Sequence, residues 1–371
     1  MPVIIAAVFG IGILLHFFAF LVGLSRIRSI QGGREPEGIS VIKPVKGVDA
    51  EAYENFKSFC CQQLSVPYEL IFALQDPQDP ALPLIEKLKH EYPEVDIRIT
   101  VNPVKHPWTG KCSNLYYGLQ LAKYDCLVLS DADMRVAPDF ISRITSQLYG
   151  RGLGLVSALP IHVEARGFWA LVYQLHLNAT ILAQWLPWAS VFKLGVAGGT
   201  VAIKREVLEQ IGGIEAIGDY VVEDVQLGFL VKEAGYGIAV GPEIYSPVGA
   251  KTKEDAVSLM ARGAIIYRRM LHLALEVPYL VVAYFYLPLL LAGIMFLEPS
   301  FLWAAGIHLG CKMLTGFLIS RTAGTSGAET LCIPIADCLF LYIYVRTVVS
   351  GDLTWRGISY RVDGKGRRLT S

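Results

Sequence analysis

The sequence predicts an α/β domain with a mostly parallel sheet, joined to apolar helices of membrane-spanning length at both ends of the chain. Three observations predict this fold class. Of the 371 residues, 53% are hydrophobic and only 18% are charged, so the chain is more apolar than an average soluble protein. The apolar residues are concentrated near the two ends. Between them, apolar strand-like runs alternate with helical segments, which is the pattern of right-handed βαβ units.

Four apolar segments predict the membrane helices. Residues 3–24 form a nearly uncharged span that is interrupted only by His16. A signal peptide would begin with a positive region and end at a small-residue cleavage site, so we expect an uncleaved anchor instead. Basic residues follow this span at Arg26, Arg28 and Arg34, and this bias predicts that the central domain faces the cytoplasm. The other apolar segments lie near residues 274–297, 300–320 and 331–349.

The predicted domain organisation has four parts. These are an N-terminal anchor (1–30), an α/β domain (31–272), C-terminal membrane helices (273–350) and a basic tail (351–371). Within the α/β domain, residues 168–190 are aromatic and apolar but are interrupted by polar side chains such as Gln174 and Gln184. We expect a helix lying at the membrane interface, with its tryptophans, Trp169, Trp185 and Trp188, at headgroup depth. A helix buried in the domain core is the alternative.

Composition and spacing argue against several other classes of protein. The formal net charge is zero, which gives no support for nucleic-acid binding. The seven cysteines have neither the spacing of metal ligands nor that of a disulfide framework, and the scattered histidines do not predict a zinc site. The chain has neither the glycine-rich fingerprint of a dinucleotide fold nor a P-loop, so phosphates would have to be held in another way.

An acidic pair follows the most apolar strand predicted in the central domain. Asp131 and Asp133 come directly after residues 127–130, Leu-Val-Leu-Ser. Their alternate positions put both carboxylates on one side of an extended backbone, where they can share a divalent cation, Mn²⁺ or Mg²⁺. In parallel sheets, ligands bind beyond the carboxyl ends of the strands, and we expect Lys43 and Asp76 to lie there too.

Two further charged residues are candidates for the same site. Lys111, in a Gly-Lys turn before a predicted helix, can add positive charge for phosphates. Asp224 belongs to the pair Glu223-Asp224 at the start of an apolar helix. There it either compensates the helix dipole or acts as a general base. The glycine-rich residues 195–201 form either a plain bulged turn or a close backbone approach to a ligand.

Several motifs together, in this order, resemble the ceramide glucosyltransferase family, an inverting GT-A group that includes bacterial hopanoid-type relatives. They are Lys43-Pro44-Val45-Lys46-Gly47, Gln75-Asp76-Pro77-Gln78-Asp79-Pro80, residues 111–114, residues 124–136 and Glu223-Asp224. The resemblance covers about residues 40–270 and touches 354–362. It implies a Rossmann-like GT-A domain and metal-dependent transfer of a sugar, with glucose the first expectation. The donor would be a UDP-sugar and the acceptor the hydroxyl of a membrane lipid such as ceramide.

The resemblance also implies roles for single residues. Asp131 and Asp133 would bind the metal and the diphosphate, and Asp224 would be the base. The first aspartate of the family maps to Asp96, with Asp76 as a competitor for the uridine.

The last motif of the family departs from the pattern in this chain. Arg262 is kept and would approach the pyrophosphate, whereas Leu259 replaces Gln or Arg and Gly263 replaces tryptophan. This departure concerns the acceptor more than the donor. The alternatives are a hopanoid or diacylglycerol acceptor, a processive polysaccharide synthase, and an inactive membrane scaffold. The small number of spans argues against the synthase, and the intact acidic residues argue against the scaffold.

Overall fold

The computed structural model describes residues 2–28, 34–49, 51–104, 106–150, 152–192, 196, 198–270, 280–349, 353–355, 358–362 and 367–369. The chain divides into two compact units. The sheet unit consists of Arg26–Ile161 and Phe192–Pro247. The helical unit consists of Met1–Ser25, His162–Val191 and Val248–Ser371.

The described helices and strands follow the chain in this order. The helices are α1 (Pro2–Arg28), α2 (Ala52–Cys60), α3 (Ala81–Glu91), α4 (Gly110–Leu121), α5 (Phe140–Leu148), α6 (Phe168–His176), α7 (Ala183–Phe192), α8 (Arg205–Gln210), α9 (Glu223–Glu233), α10 (Lys253–Met270), α11 (Tyr286–Met295), α12 (Pro299–Thr322) and α13 (Ile333–Val349). A π-helical segment, Leu177–Leu182, joins α6 to α7, and Ile214–Ala216 and Ala328–Cys332 are short 3₁₀ helices. The strands are β1 (Ile39–Pro44), β2 (Tyr68–Leu74), β3 (Asp96–Val101), β4 (Cys126–Ser130), β5 (Leu153–Arg166), β6 (Thr200–Lys204), β7 (Gly237–Ala250), β8 (Leu353–Trp355), β9 (Ile358–Val362) and β10 (Arg368–Leu369).

A seven-stranded sheet forms the centre of the sheet unit. Its strand order is β3-β2-β1-β4-β6-β5-β7. The first four strands run parallel, and β6 is antiparallel to both of its neighbours. The prediction of a mostly parallel α/β sheet is confirmed. The carboxyl ends of β1, β2 and β4 therefore meet at one edge, where a ligand site is expected.

The central strands are apolar on both faces because both faces are covered by helices. On β4, Val128 faces the core formed with α2, α3 and α5, whereas the adjacent Leu127 and Leu129 face the core formed with α4, α8 and α9. This alternation is the two-residue period of a strand. It explains why the sequence shows a continuous apolar run instead of alternation with polar residues.

The helical unit contains the helices that are long and apolar enough to cross a membrane. By length and composition, these candidate spans among the described residues are Pro2–Ser25, Pro299–Thr322 and Ala328–Thr347, and Tyr286–Met295 is a shorter apolar helix. The prediction of apolar helices near both ends of the chain is confirmed. The predicted segment 274–297 lies partly outside the described residues. In the predicted basic tail, β8, β9 and β10 form a small antiparallel sheet.

The boundary between the units differs from the predicted one at 272. Residues 162–191 and those from 248 onward belong to the helical unit. The segment 168–190 is largely buried there, because α6 packs against α10 and α13. Two of its amide side chains bond to backbone groups: Gln174 accepts a hydrogen bond from the Ala165 N–H, and Asn178 bonds to both backbone groups of His162. The position of this segment at a membrane interface stays a prediction.

Candidate active site

Lys111 lies at the centre of a cluster of carboxylates beside the edge where β1 and β4 end. Its ammonium nitrogen is 2.6 Å from Asp131 Oδ1, 2.5 Å from Glu223 Oε1 and 3.4 Å from Asp224 Oδ2. Asp131 follows β4, whereas Glu223 and Asp224 form the first turn of α9. One lysine therefore joins two acidic motifs that are about ninety residues apart in the chain.

The loop before α4 holds Lys111 in this position. The Thr109 hydroxyl caps α4 by accepting a hydrogen bond from the Cys112 N–H at 3.2 Å. The Thr109 N–H donates to the carbonyl of Gly218, in the loop that precedes α9. Trp108 packs on Gly218 so closely that a Cβ there would overlap the indole ring. The loop that precedes Lys111 is thus joined to the loop that precedes the acidic pair of α9.

Lys43 holds the backbone of Asp131 in place. Its side chain is 0% exposed, and its ammonium donates to the Asp131 carbonyl at 2.7 Å and to the Ser130 hydroxyl at 3.2 Å. The ammonium also lies 3.7 Å from the centre of the Phe59 ring. Burial lowers the pKa of Lys43 to about 7, although Asp131 and other acidic groups oppose this shift. Lys43 was predicted to be a ligand-binding residue beyond the end of its strand, but its buried ammonium instead positions the turn that begins at Asp131.

Two glycines lie directly beside Asp131 and Asp224. Gly198 and Gly199 have φ values of +83° and +79°, which side-chain-bearing residues rarely adopt. A Cβ on Gly198 would lie 3.1 Å from Asp224 Oδ2, and the Gly199 carbonyl accepts a hydrogen bond from the Asp131 N–H at 2.8 Å. Gly198 and Gly199, the described glycines of this segment, therefore allow a close backbone approach to Asp131 and Asp224.

The electrostatics of the cluster favour a proton acceptor near neutral pH. Burial raises the pKa of Asp224 to about 7, while Lys111 opposes the rise and Glu223 adds to it. Burial alone would lower the pKa of Lys111, but its three carboxylate partners raise it well above the usual value. Lys111 is therefore a permanent cation, and Asp224 is a carboxylate that can exchange a proton near pH 7.

Asp131 and Asp133 are the residues that could hold a divalent cation together with phosphates. Among the described residues, no group of three or more His, Cys, Asp or Glu side chains could hold a metal. Partial burial and the charge of Asp131 raise the pKa of Asp133 to about 6, although its side chain is exposed to solvent. Such a pair of close carboxylates attracts a cation, and Mg²⁺ commonly binds one or two carboxylates together with substrate phosphates and water.

The other predicted site residues lie on other elements of the fold. Asp76 is exposed beyond the carboxyl end of β2, and its carboxylate accepts a hydrogen bond from the Gln78 N–H at 2.8 Å. Asp96 begins β3 at the opposite, amino end of the parallel strands, where it forms an ion pair with Lys123. Placing Asp96 in the nucleotide site therefore disagrees with the topology. Arg262 lies on α10 in the helical unit.

Two acidic residues of this region were not among the predicted site residues. Glu223 is nearly buried and makes the shortest contact with Lys111. Asp79 is also nearly buried, and its carboxylate accepts hydrogen bonds from the N–H groups of Gly47 and Ala81. It thereby ties the turn after β1 to the start of α3. In the sequence, the only hint that Glu223 belongs to the site is its position next to Asp224. Nothing in the sequence distinguished Asp79 from Asp76.

Comparison with known proteins agrees with this geometry. A family model described as "Glycosyl transferase family 21" matches residues 4–368. The chain belongs to glycosyl transferase family 21. Its resemblance to ceramide glucosyltransferases is thereby confirmed.

Curated relatives of this family 21 chain carry the name of that enzyme. The chain is 24% identical over 213 residues to "Ceramide glucosyltransferase 1" of Caenorhabditis elegans, covering 57% of this chain and 46% of the relative. It is 30% identical over 125 residues to "Ceramide glucosyltransferase" of Candida albicans, covering 31% and 23%. The chain thus spans less than half the length of the curated relatives it matches.

The fold also resembles a solved structure, a mannosyltransferase of Pyrobaculum calidifontis in complex with GDP-Man and Mn²⁺. The TM-score is 0.51 at 16% identity, covering 92% of this chain and 98% of the other. The predicted GT-A fold is confirmed.

Proposed function

We propose that this family 21 protein transfers a sugar, with glucose as the first candidate, from a UDP-sugar to the hydroxyl of a membrane lipid such as ceramide. The transfer inverts the anomeric carbon. The observation that carries the proposal is the cluster in which Lys111 holds Asp131 and Asp224 together. It places Asp131, the proposed anchor of the diphosphate, and Asp224, the proposed base, close together near the edge of the sheet where ligands of such folds bind.

Inversion by a single displacement requires one base on the acceptor side. The acceptor hydroxyl attacks the anomeric carbon, its proton passes to the Asp224 carboxylate, and the bond from that carbon to the diphosphate breaks. A base works best when its pKa is close to the working pH, and burial raises the pKa of Asp224 to about 7. No covalent link between sugar and protein is needed.

The departing diphosphate needs positive charge. Asp131 and Asp133 would hold a divalent cation, which supplies charge neutralisation for the phosphates. Lys111, already bonded to Asp131, adds a fixed positive charge on the same side of the cleft. Lys43 keeps the Asp131 backbone in place, so the carboxylate does not have to be reorganised when the donor binds.

A lipid acceptor explains why the chain carries membrane helices. Each buried methylene holds a lipid in the bilayer by about 0.8 kcal/mol, so the active site has to reach the lipid. The three candidate spans supply such an anchor. The bias of basic residues after the first span supports a cytoplasmic orientation for the sheet unit.

Substitution of the base tests this proposal. In vesicles that contain ceramide, Asp224→Asn should lower the rate of glucose transfer by about a hundredfold or more while UDP-glucose still binds. Asp139→Asn is the matched control, because among the described residues this exposed carboxylate makes only a long 3.8 Å ion pair with Arg143. Loss of UDP-glucose binding in Asp224→Asn would contradict the assignment of the base.

The same assay separates the acceptors. Ceramide, diacylglycerol and a hopanoid alcohol are offered in turn, and the product is identified by mass spectrometry. A polymer formed without added lipid would instead indicate a polysaccharide synthase. Failure to transfer or hydrolyse any UDP-sugar with Mn²⁺ or Mg²⁺ would indicate an inactive scaffold.

A further inference from the structure

A small cavity lies inside the helical unit, lined by α1, α7 and α12. Its volume is about 30 Å³, and roughly 10–15 Å³ suffices for one water-sized group. The wall includes the apolar side chains of Ile13 and Phe17 and the polar side chains of His16, Gln184 and Thr315. His16 is the residue that interrupts the first apolar segment of the sequence, and the chemistry of the sheet unit does not use it.

Gln184 is the polar residue of the cavity that lacks a partner. Its side chain is only 6% exposed, and its amide nitrogen has no hydrogen-bond partner among the residues that the structure describes. Buried amides nearly always make hydrogen bonds, because burying one unpaired is costly. Gln174 and Asn178, in the same helical stretch, satisfy backbone groups. The Gln184 amide therefore has an N–H donor that lines the cavity and is available to an acceptor there.

The charge of Lys312, a lysine that lines the cavity, is paired and does not select an ion. The Lys312 ammonium donates to both oxygens of Asp337 at 2.7 Å and to the Ala283 carbonyl at 2.9 Å, so its three hydrogens are used. The His308 ring nitrogen Nε2 donates to the Val282 carbonyl at 2.8 Å, which leaves the other ring nitrogen as an acceptor in the neutral ring. The Thr315 hydroxyl donates to a backbone carbonyl and keeps its lone pairs. A neutral group that both accepts and donates hydrogen bonds fits these partners.

Two of the helices that line the cavity, α1 and α12, are long and apolar enough to cross a membrane. His16 and Lys312 lie near the middle of α1 and α12, which are candidate spans. Other faces of α1 expose Val8, Ile11 and Leu15. Lipids are therefore the molecules that reach this region. A charged headgroup cannot be brought to this depth cheaply, whereas a small neutral headgroup can.

From these observations we propose that the cavity is a binding site for the hydroxyl or amide group of a neutral membrane lipid. The Gln184 amide donates to the lipid oxygen, and the lipid hydroxyl donates to an acceptor such as Thr315. The chains of the lipid lie along Ile13 and Phe17. This binding does not require sugar transfer and is distinct from the carboxylate cluster of the sheet unit.

Photolabelling tests the site on the full chain in phosphatidylcholine nanodiscs. The probe is a ceramide with a diazirine and an alkyne, offered beside its O-methylated analogue and an equivalent phosphatidic acid. Peptides of α1, α7 and α12 should be labelled by the ceramide. Labelling should fall about fivefold in Gln184→Leu and with the O-methylated probe, as expected for the loss of a hydrogen bond. Phosphatidic acid should label these peptides weakly.

Control variants separate this site from the proposed function and from misfolding. Gln120→Leu, at an exposed glutamine of α4, should label like the wild type. Ala183→Val adds volume to the cavity while keeping the Gln184 amide, and it should reduce labelling even if Gln184→Leu is poorly folded. Labelling should persist in Asp224→Asn, in which transfer is lost. Equal labelling by the methylated probe, or unchanged labelling in both cavity variants, would show that the cavity holds only water and would overturn the proposal.

Discussion

Replacing Lys111 by Met should move the acidic limb of the pH profile of kcat/KM to higher pH. In the wild-type protein this limb should lie near pH 7, because burial raises the pKa of the proposed base, Asp224, to about 7. Lys111 opposes that rise from 3.4 Å away. Without its charge, the protonated form of Asp224 is favoured further, so a higher pH is needed to produce the carboxylate.

The size of the shift follows from this distance. A unit charge at 3.4 Å interacts by about 1.2 kcal/mol at a dielectric constant of about 80 and by about 5 kcal/mol at about 20. Since one pH unit corresponds to about 1.36 kcal/mol, the limb should move up by about 1 to 3.5 units. Glu223 and Asp131 also lose their cation in this variant, and their negative charge acts in the same direction.

The assay measures transfer from UDP-glucose to ceramide in nanodiscs between about pH 5.5 and 9.5. Its readout is the position of the limb, because weaker donor binding lowers the whole profile without moving it. Lys111→Arg keeps the charge and should leave the limb near pH 7. Lys87→Met, at an exposed surface lysine, should leave both limb and rate unchanged. A limb that stays near pH 7 in Lys111→Met would refute the coupling between Lys111 and the base.

Three further predictions concern residues at the ends of strands and Gly198. The free energy of unfolding of the wild type should rise relative to that of Lys43→Met between pH 7 and about 10, as measured by thermal unfolding in detergent. The reason is that folding lowers the pKa of Lys43 from 10.5 to about 7, so the unfolded chain binds more protons in this window. Asp76→Asn should raise the Kd for UDP by about fivefold or more, whereas Asp96→Asn should change this Kd by less than about twofold. Calorimetric titration measures both values. If it found the reverse, the uridine would bind at the other end of the sheet. Gly198→Ala should lower kcat by about tenfold or more with little change in UDP affinity, because its Cβ would press on the proposed base. Gly212→Ala, at a comparable positive φ, is the control for backbone strain and should keep kcat.

Local patterns were sufficient to predict much of the sheet unit. The apolar run before Asp131 predicts a buried strand, and the structure places it between β1 and β6 in the sheet. Asp76 was also predicted to lie beyond the carboxyl end of a strand, and β2 ends two residues before it, at Leu74. Such features depend on neighbouring residues and on the two-residue period of a strand, and both can be read along the chain.

Long-range packing decided the features that the patterns missed. Asp76 and Asp96 are both aspartates next to a strand, so local sequence does not tell them apart. They differ because they lie at opposite ends of the parallel strands. Lys43 looked like a ligand-binding lysine, because no local signal shows that Phe59 and Ser130 enclose its ammonium. The segment 168–190 joined the helical unit because its partners, α10 and α13, come much later in the chain.

The sequence by itself determined the fold class, the apolar helices, the family and the acidic motif Asp131-Ala132-Asp133, since each is a property of consecutive residues or of their order. Only the tertiary structure decided that Lys111 joins this motif to Glu223 and Asp224, and that Gln184 lines a cavity with its amide unpaired. The physical reason is the same in both cases. The charge and hydrogen-bonding capacity of a side chain are written in the sequence, but whether they are satisfied depends on residues that folding brings within a few ångströms.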